Sequence, residues 1–558
     1  MELGNPDTPP ERGMEVVRPT NGVDGTGCPK KRMLACNGQD RGFLPQPERA
    51  PTWDRYSKAM KGGIPVKVCH SPTPQGEKHT DKELARQWNA IDWEKTEFLV
   101  NRLQTRIAKA TQTGKWNLVK RLSYLLTHSF SAKLLAVRIV TQNKGKRTPG
   151  VDGALWISAS AKMRAVLSLT DKQYHAQPLR RIYIPKPGKT TKRPISIPTM
   201  YDRAMQALYA LALQPIAETT ADTRSFGFRL FRSAQDASEY AFNCLARKTS
   251  AQWTLEGDIQ GCFDNIAHDW LKERIPMDRS ILAQFLKAGY IFEDRLFPTD
   301  RGTPQGGIIS PLLANMTLDG IEQLLAANFP RMKVHFIRYA DDFLVTAPTK
   351  EIAKEARDII QEFLAERGLE LSREKTVITH IDEGFDFLGY NFRKYNGKLL
   401  IKPSQKSIKA IMEKIGRTVK KARAWTQDAL IRTLNPIIRG WTNYHRHNVA
   451  TETFRKLNDY LWTVTWQWGR HRHTNKGNTW IAHRYWQPEG RRKWVFRTEE
   501  NKLLRFSDTK IRRHSCPKLD ANPYLDRKYF LERKDRMRQP TPRNETRKTF
   551  FALPPRTG

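Results

Sequence analysis

Tyr339-Ala340-Asp341-Asp342 stands between two apolar runs, Val334 to Ile337 and Phe343 to Val345. That spacing predicts a β-hairpin offering two adjacent carboxylates at its turn. Upstream, Leu255-Glu256-Gly257-Asp258-Ile259-Gln260-Gly261-Cys262-Phe263-Asp264-Asn265-Ile266 reads as a buried strand that ends in an acid and runs into a turn. Asp258 thereby completes a candidate three-carboxylate cluster with Asp341 and Asp342. An Asp-Asp pair alone is ordinarily a solvated turn; the second acidic motif argues against that here. Nucleotidyl transfer calls for such a cluster. Two divalent cations about 3.5–4 Å apart activate the attacking hydroxyl and neutralise the leaving pyrophosphate, and hard carboxylate oxygens suit Mg2+. Adjacent residues cannot both face one site. Asp258 and Asp341 are therefore the expected bridging ligands of two Mg2+ ions, with Asp342 more peripheral and the Ile259 backbone carbonyl as a further ligand.

Composition narrows the partners. The chain of 558 residues carries a formal net charge of +39, which points to a polyanion, most economically a nucleic acid. The last 158 residues hold 37 Lys and Arg against 13 Asp and Glu, so +24 of that charge lies beyond residue 400. Eight of the fifteen tryptophans lie there too, and cations interleaved with aromatics suit phosphate contacts combined with base stacking. Six cysteines, at 28, 36, 69, 244, 262 and 516, form no Cys-x-x-Cys pair, which implies a reduced, cytoplasmic protein rather than a disulfide scaffold. No apolar run reaches membrane-spanning length and no secretory pattern opens the chain. His471 and His473 lack cysteines or acids at ligand spacing, which argues against zinc.

Seven ordered strings extend the reading. They are Arg147-Thr148-Pro149-Gly150-Val151-Asp152-Gly153, Leu179 to Lys186, Arg193-Pro194-Ile195-Ser196-Ile197-Pro198, Ser225-Phe226-Gly227-Phe228-Arg229, Gly302-Thr303-Pro304-Gln305-Gly306-Gly307, Ser310-Pro311-Leu312 and Gly384-Phe385-Asp386-Phe387-Leu388-Gly389-Tyr390. Together with the acids, and over roughly residues 85 to 530, they resemble the reverse transcriptases encoded by bacterial group II introns, the maturase family. One departure is visible, since Leu230-Phe231-Arg232 follows Arg229 where the family often has Arg-Pro-Gly-Arg. The resemblance implies an α+β right-hand polymerase of fingers, palm and helical thumb that binds its intron RNA, promotes splicing, and copies RNA into DNA from dNTPs at a DNA target.

The same resemblance implies roles for single residues. Phe263, five residues beyond Asp258, matches the bulky ring under the sugar of the incoming nucleotide, where it would exclude a 2′-hydroxyl. Gln305 matches a residue near that sugar and base, and Ala340 lies in the turn beside it. Arg193 and Lys186 match cations of the fingers that clamp the triphosphate, where a guanidinium fork suits phosphate oxygens. Lys375, in Leu371-Ser372-Arg373-Glu374-Lys375-Thr376, matches the proton donor to the leaving pyrophosphate.

Along the chain, residues 1–80 are rich in Pro, Gly and charge without apolar period and are expected to be poorly ordered. Residues 81–400 hold fingers and palm. They open with amphipathic helices in which Phe98, Leu99, Leu103, Ile107, Trp116, Val119, Leu122 and Leu126 recur at helical spacing. Residues 401–475 are expected to form the thumb, or maturase, domain, where Leu434 to His445 resembles the family. By the same resemblance, residues 476–558 are expected to form a basic DNA-binding region without the clustered His, Asn and Cys of a nuclease. A splicing factor that has lost polymerisation would lack one of the three acids, yet all three stand. A defence-associated or domesticated reverse transcriptase without an intron would lack the thumb segment, which is present.

Overall fold

The computed structural model describes residues 80–185 and 191–538. Its strands, in chain order, are β1 (Leu179–Pro185), β2 (Lys192–Ile197), β3 (Trp253–Asp258), β4 (Tyr290–Phe292), β5 (Arg295–Phe297), β6 (His335–Tyr339), β7 (Asp342–Ala347), β8 (Val377–His380), β9 (Phe385–Phe387), β10 (Tyr390–Tyr395), β11 (Lys398–Pro403), β12 (Trp486–Glu489) and β13 (Arg492–Phe496). Helices fill most of the remainder, and the mixture is the α+β class expected.

Short polar residues start the first helices. Asp92, Ser129 and Ser158 accept backbone N–H groups at the N-termini of Trp93–Gln112, Phe130–Gln142 and Ala159–Ser168, which satisfies donors that have no partner within the helix. The buried stripe of Trp93–Gln112 is Val100, Gln104, Ile107, Ala108 and Thr111. Phe98 and Leu99, expected on that stripe, are exposed instead. Apolar character and periodicity conflict there, and the packing of Gln104 shows why. Its amide donates to the Leu211 carbonyl of helix Met200–Thr220 at 2.8 Å, fixing which side of the helix faces in. The β-strands of the fingers form the sheet β2-β1-β4-β5.

The palm sheet runs β6-β7-β3-β8, antiparallel throughout. Alternation sorts its two faces. Leu255, Phe336, Phe343 and Val345 enter the large core shared with helix Lys350–Ala365 and the fingers. Ile337 and Leu344 face the other way, into a core built with β9, β10, β11 and helix Ala234–Leu245. Gly257 pairs with Phe343 across β3 and β7, and a Cβ on Gly257 would come within 2.0 Å of the Phe343 ring. Only glycine lets that ring lie flat across the strand.

The thumb has its own core, drawn from helices Gln405–Lys421, Gln427–His445 and Thr451–Arg472. That core does not stop at residue 475. Ile481, Tyr485, Trp486, Phe496, Leu503 and Phe506 belong to the same cluster, so helix Asn478–Tyr485 and the β12–β13 hairpin complete the thumb rather than begin a separate region. Further on, the chain packs back on the palm. Asp236 accepts from His514 at 2.7 Å and from Arg533, and Arg232 donates to the Ala521 carbonyl at 3.1 Å. No helix among the described residues is long and apolar enough to cross a membrane. The thumb core yields a test. Phe506 is fully buried, so Phe506→Ala should cost about 3–5 kcal/mol and lower the urea midpoint of the thumb's unfolding, whereas a chain in which residues 476 onward were a separate domain would show the thumb unchanged.

Candidate active site

Asp258 is the last residue of β3 and Asp342 the first of β7, and the two are register partners. Tyr339 pairs with Asp342 across β6 and β7, which leaves Ala340 and Asp341 as a two-residue turn. Ala340 takes φ +59°, the left-handed region disfavoured for any residue with a Cβ. The hairpin turn therefore presents Asp341 and Asp342 beside the end of β3, as the sequence spacing suggested.

Three neighbours hold that turn. Arg338 is completely buried; its guanidinium pairs with Asp319 and donates to Asn315 Oδ1 at 3.1 Å and to the Ala340 carbonyl at 3.4 Å. Asn315 in turn donates to the Gly227 carbonyl at 2.8 Å. Gly227 lies so close beneath the turn that a Cβ there would come within 2.2 Å of the Ala340 nitrogen, and the Phe226 N–H donates to the Arg338 carbonyl at 2.8 Å. Sequence reasoning missed Arg338 and Asn315. The available signal was a charge at the inward phase of β6, two residues after Phe336. In the preceding loop, Phe228 and Phe231 both take positive φ, 58° and 57°, and Phe231 stands where the family often has the glycine of Arg-Pro-Gly-Arg. The Arg229 guanidinium holds that loop by its ion pair with Glu218 at 2.8 Å.

Asp258 is held from the other side. Its carbonyl accepts from Ser372 N at 2.8 Å, Gln260 N donates to the Glu370 carbonyl at 2.9 Å, and Ile259 bridges Leu371. The same strand-like stretch delivers Lys375, whose Nζ lies 2.6 Å from Asp258 Oδ2. Partial desolvation in the cleft, with the negative charges of Asp341 and Asp258, pushes the Asp342 carboxyl up to about 6. Asp341 is raised too, by desolvation and by Asp258, while Lys375 and Arg193 pull the other way. Arg193, exposed on β2, is thus near enough for its charge to be felt at the acids.

Phe263 and Gln305 sit in an adjoining pocket of about 300 Å³ that also takes in Arg181, Pro194, Ser196 and Asp264. Gln305 donates from Nε2 to Asp264 Oδ2 at 2.9 Å, and its carbonyl accepts from Ser196 N at 2.7 Å. Gly306, at φ +126°, lies against β2, where a Cβ would reach within 2.5 Å of the Ser196 carbonyl oxygen. Phe263 packs edge-on to Phe228, ring centroids 6.3 Å apart. Lys186 lies outside the described residues.

Among the described residues, no group of three or more His, Cys, Asp or Glu is arranged to hold a metal ion. At Asp258 the Lys375 ammonium partly neutralises the carboxylate. The donor set nevertheless fits in kind: carboxylates whose mutual repulsion raises their pKa values are relieved by a divalent cation.

An antiparallel palm sheet with acids at the β3 end and the β6–β7 turn, flanked by fingers and a helical thumb, defines a template-directed nucleic-acid polymerase. Comparison with known proteins narrows this. Residues 184–392 match the family described as reverse transcriptase (RNA-dependent DNA polymerase), residues 88–169 the N-terminal domain of reverse transcriptase, and residues 408–486 the group II intron maturase-specific domain. Protein YkfC of Escherichia coli (strain K12) is 31% identical over 342 residues, 52% of this chain and 88% of that protein. The group II intron-encoded protein LtrA of Lactococcus lactis subsp. cremoris is 29% identical over 459 residues, 64% of this chain and 75% of that one. A solved structure of telomerase from Candida albicans aligns at a TM-score of 0.32 and 13% identity, over 56% of this chain and 62% of that one, a distant likeness only. The chain belongs to the reverse transcriptases and maturases encoded by group II introns. It is an RNA-directed DNA polymerase, an enzyme class that works with divalent metal ions, and its maturase domain implies an intron RNA partner.

The acid cluster makes a sign prediction for metal-free protein. Between the unfolded carboxylate value near 4 and about 6, native Asp342 holds a proton that the unfolded chain has released. Its contribution to stability therefore declines as pH rises through that window. In EDTA, Asp342→Asn should melt higher than the parent at about pH 7 and converge with it near pH 4. A variant that melts lower at neutral pH would show that the carboxylate is favourably paired instead.

Proposed function

We propose that Asp258 and Asp341 hold two Mg2+ ions with help from Asp342 and the Ile259 carbonyl, and that the surrounding residues select and position a deoxynucleoside triphosphate against the primer end. The observation that carries this reading is the register of Asp258 with Asp342 across β3 and β7, which sets the two acidic motifs side by side at one sheet end. Mg2+ bound there would supply the Lewis acidity that activates the primer 3′-hydroxyl and stabilises the leaving pyrophosphate.

The remaining work falls to the chain. Arg193, on β2, and Lys186 bind the triphosphate oxygens and orient the α-phosphorus. Gln305 and the backbone at Ala340 border the sugar and base, and Gln305 is pre-positioned by its bond to Asp264. The Phe263 ring bars a 2′-hydroxyl. Lys375 leaves Asp258 when the site is loaded and donates its Nζ proton to the pyrophosphate oxygen. The same polymerase, bound to its intron RNA, would copy that RNA at a DNA target during retrohoming, with exposed cations of the thumb and tail as phosphate contacts.

If this reading holds, Asp258→Ala and Asp341→Ala lose nearly all primer extension while still binding intron RNA and aiding its splicing. Single-turnover extension retained within about tenfold, only about 1.4 kcal/mol of barrier, would refute the metal-ligand roles. For the sugar gate, Phe263→Val should raise the rNTP to dNTP ratio of kcat/KM; a ratio that stays put would reduce the ring to a packing element against Phe228.

A further inference from the structure

Where the end of helix Gln427–His445 meets the returning tail, Arg446, His447, Arg513, His514 and Arg536 surround a pocket of about 460 Å³ that no carboxylate lines. Of the acids near it, Glu239 lines the adjoining space with Arg513 and His514, and Asp236 is already spent. It receives His514 Nε2 at 2.7 Å and the Arg533 guanidinium on one oxygen, and Ser233 N at 2.8 Å on the other. Arg533 is itself consumed, donating also to the carbonyls of Phe231 and Ser515 at 3.1 and 2.7 Å. The charge lining the pocket itself is positive.

Several donors at the pocket have no protein acceptor. Arg446 Nε is buried without a hydrogen-bond partner, while His514, its side chain 2% exposed, spends its Nε2 proton on Asp236. The guanidinium groups of Arg513 and Arg536, both on exposed residues, make no ion pair among the described residues. His447 Nδ1 contacts the Arg512 carbonyl at 2.9 Å, so that nitrogen carries the proton. Buried donors without acceptors are costly, and like charges gathered without a counter-ion repel. Burial and the neighbouring positive charges push His447 down to about 4, and the Arg446 guanidinium is lowered by burial and by Arg512. A bound anion would remove each of these penalties at once.

We propose that this pocket binds a phosphate group, which joins the end of the thumb helix to the tail segment 512–537. Guanidinium forks match phosphate oxygens in geometry and charge, and the volume admits one phosphate or a diphosphate. The phosphate comes either from the backbone of a bound nucleic-acid strand or from a free phosphate or pyrophosphate ion. The site is separate from the acids at Asp258 and Asp341 and does not depend on their assignment.

The test uses the full-length protein and two variants, Arg446→Gln and Arg536→Gln, the second at an exposed position where folding is not at risk. Melting temperature is followed against inorganic phosphate and against pyrophosphate, with chloride holding ionic strength constant, and duplex DNA and single-stranded RNA binding is measured over a salt series. Primer extension, read in parallel, should be unchanged. Saturable stabilisation by phosphate or pyrophosphate that both variants weaken at least several-fold supports the pocket with a free ion as its ligand. A log–log salt slope reduced by about 0.9 for duplex or about 0.7 for single strand in both variants supports it with a strand phosphate as the ligand. If neither the melts nor the slopes distinguish the variants from the parent, the proposal is overturned.

Discussion

A buried guanidinium braces the acid-bearing end of the palm sheet. Arg338 is sealed from solvent and pairs with Asp319, while the remaining donors reach Asn315 and the carbonyl of Ala340. Breaking one partner of such a pair costs about 3–5 kcal/mol, because the other is left charged in the interior. That is more than the roughly 1–2 kcal/mol that a left-handed residue costs, so the clamp can hold Ala340 at φ +59° against its preference. The strained turn is what points Asp341 and Asp342 out of the hairpin. Gly227 and Gly257 serve the same end by absence: one lets a loop lie against the turn, the other lets the Phe343 ring cover β3. The acids are thus placed by a dry, cross-braced layer beneath them.

Much of this was legible in the chain, and the reason differs from place to place. The β6–β7 hairpin could be read because a polar turn between two apolar runs is a local signal, and β3 because an apolar run ends in an acid and a glycine-containing turn. Asp258 and Asp342 face each other across the sheet, which is a non-local fact; it was inferred only because the chemistry demands a third acid. Arg338 was opaque. Its partners Asn315 and Asp319 lie on and just after another helix, and no spacing rule connects a strand position to them. The resemblance to group II intron proteins supplied Phe263 and Gln305, and the structure adds Asp264 as the residue that fixes the Gln305 amide.

The other gap was the division at residue 475. Composition turns basic and proline-bearing near there, and composition is what a reader of sequence sees. Packing follows the tryptophans instead. Trp466 and Trp486 sit 5.3 Å apart by ring centroid, Trp468 lies against Tyr485 and Phe496, and Trp468 Nε1 donates to the Ala422 carbonyl at 2.8 Å. Aromatics read as candidates for base stacking are in part the mortar of the thumb. Trp462, Trp480 and Trp494 remain exposed and keep the stacking role open to them.

Charge is managed in opposite ways at the two ends of the molecule. At the palm, negative groups are concentrated and then restrained. Glu256 lies two residues before Asp258 on the same face of β3, and burial with the nearby Asp386 carboxylate pushes it up to about 7, Lys406 opposing. At neutral pH that carboxyl is therefore protonated about as often as not, so the strand delivers its negative charge at its end rather than along its length. At the thumb and tail the surplus is positive, and the returning tail encloses the palm residue Asp236 between Arg533 and His514. A polyanion approaching such a surface meets an excess of cations along the thumb and tail and a concentration of carboxylates at the sheet end.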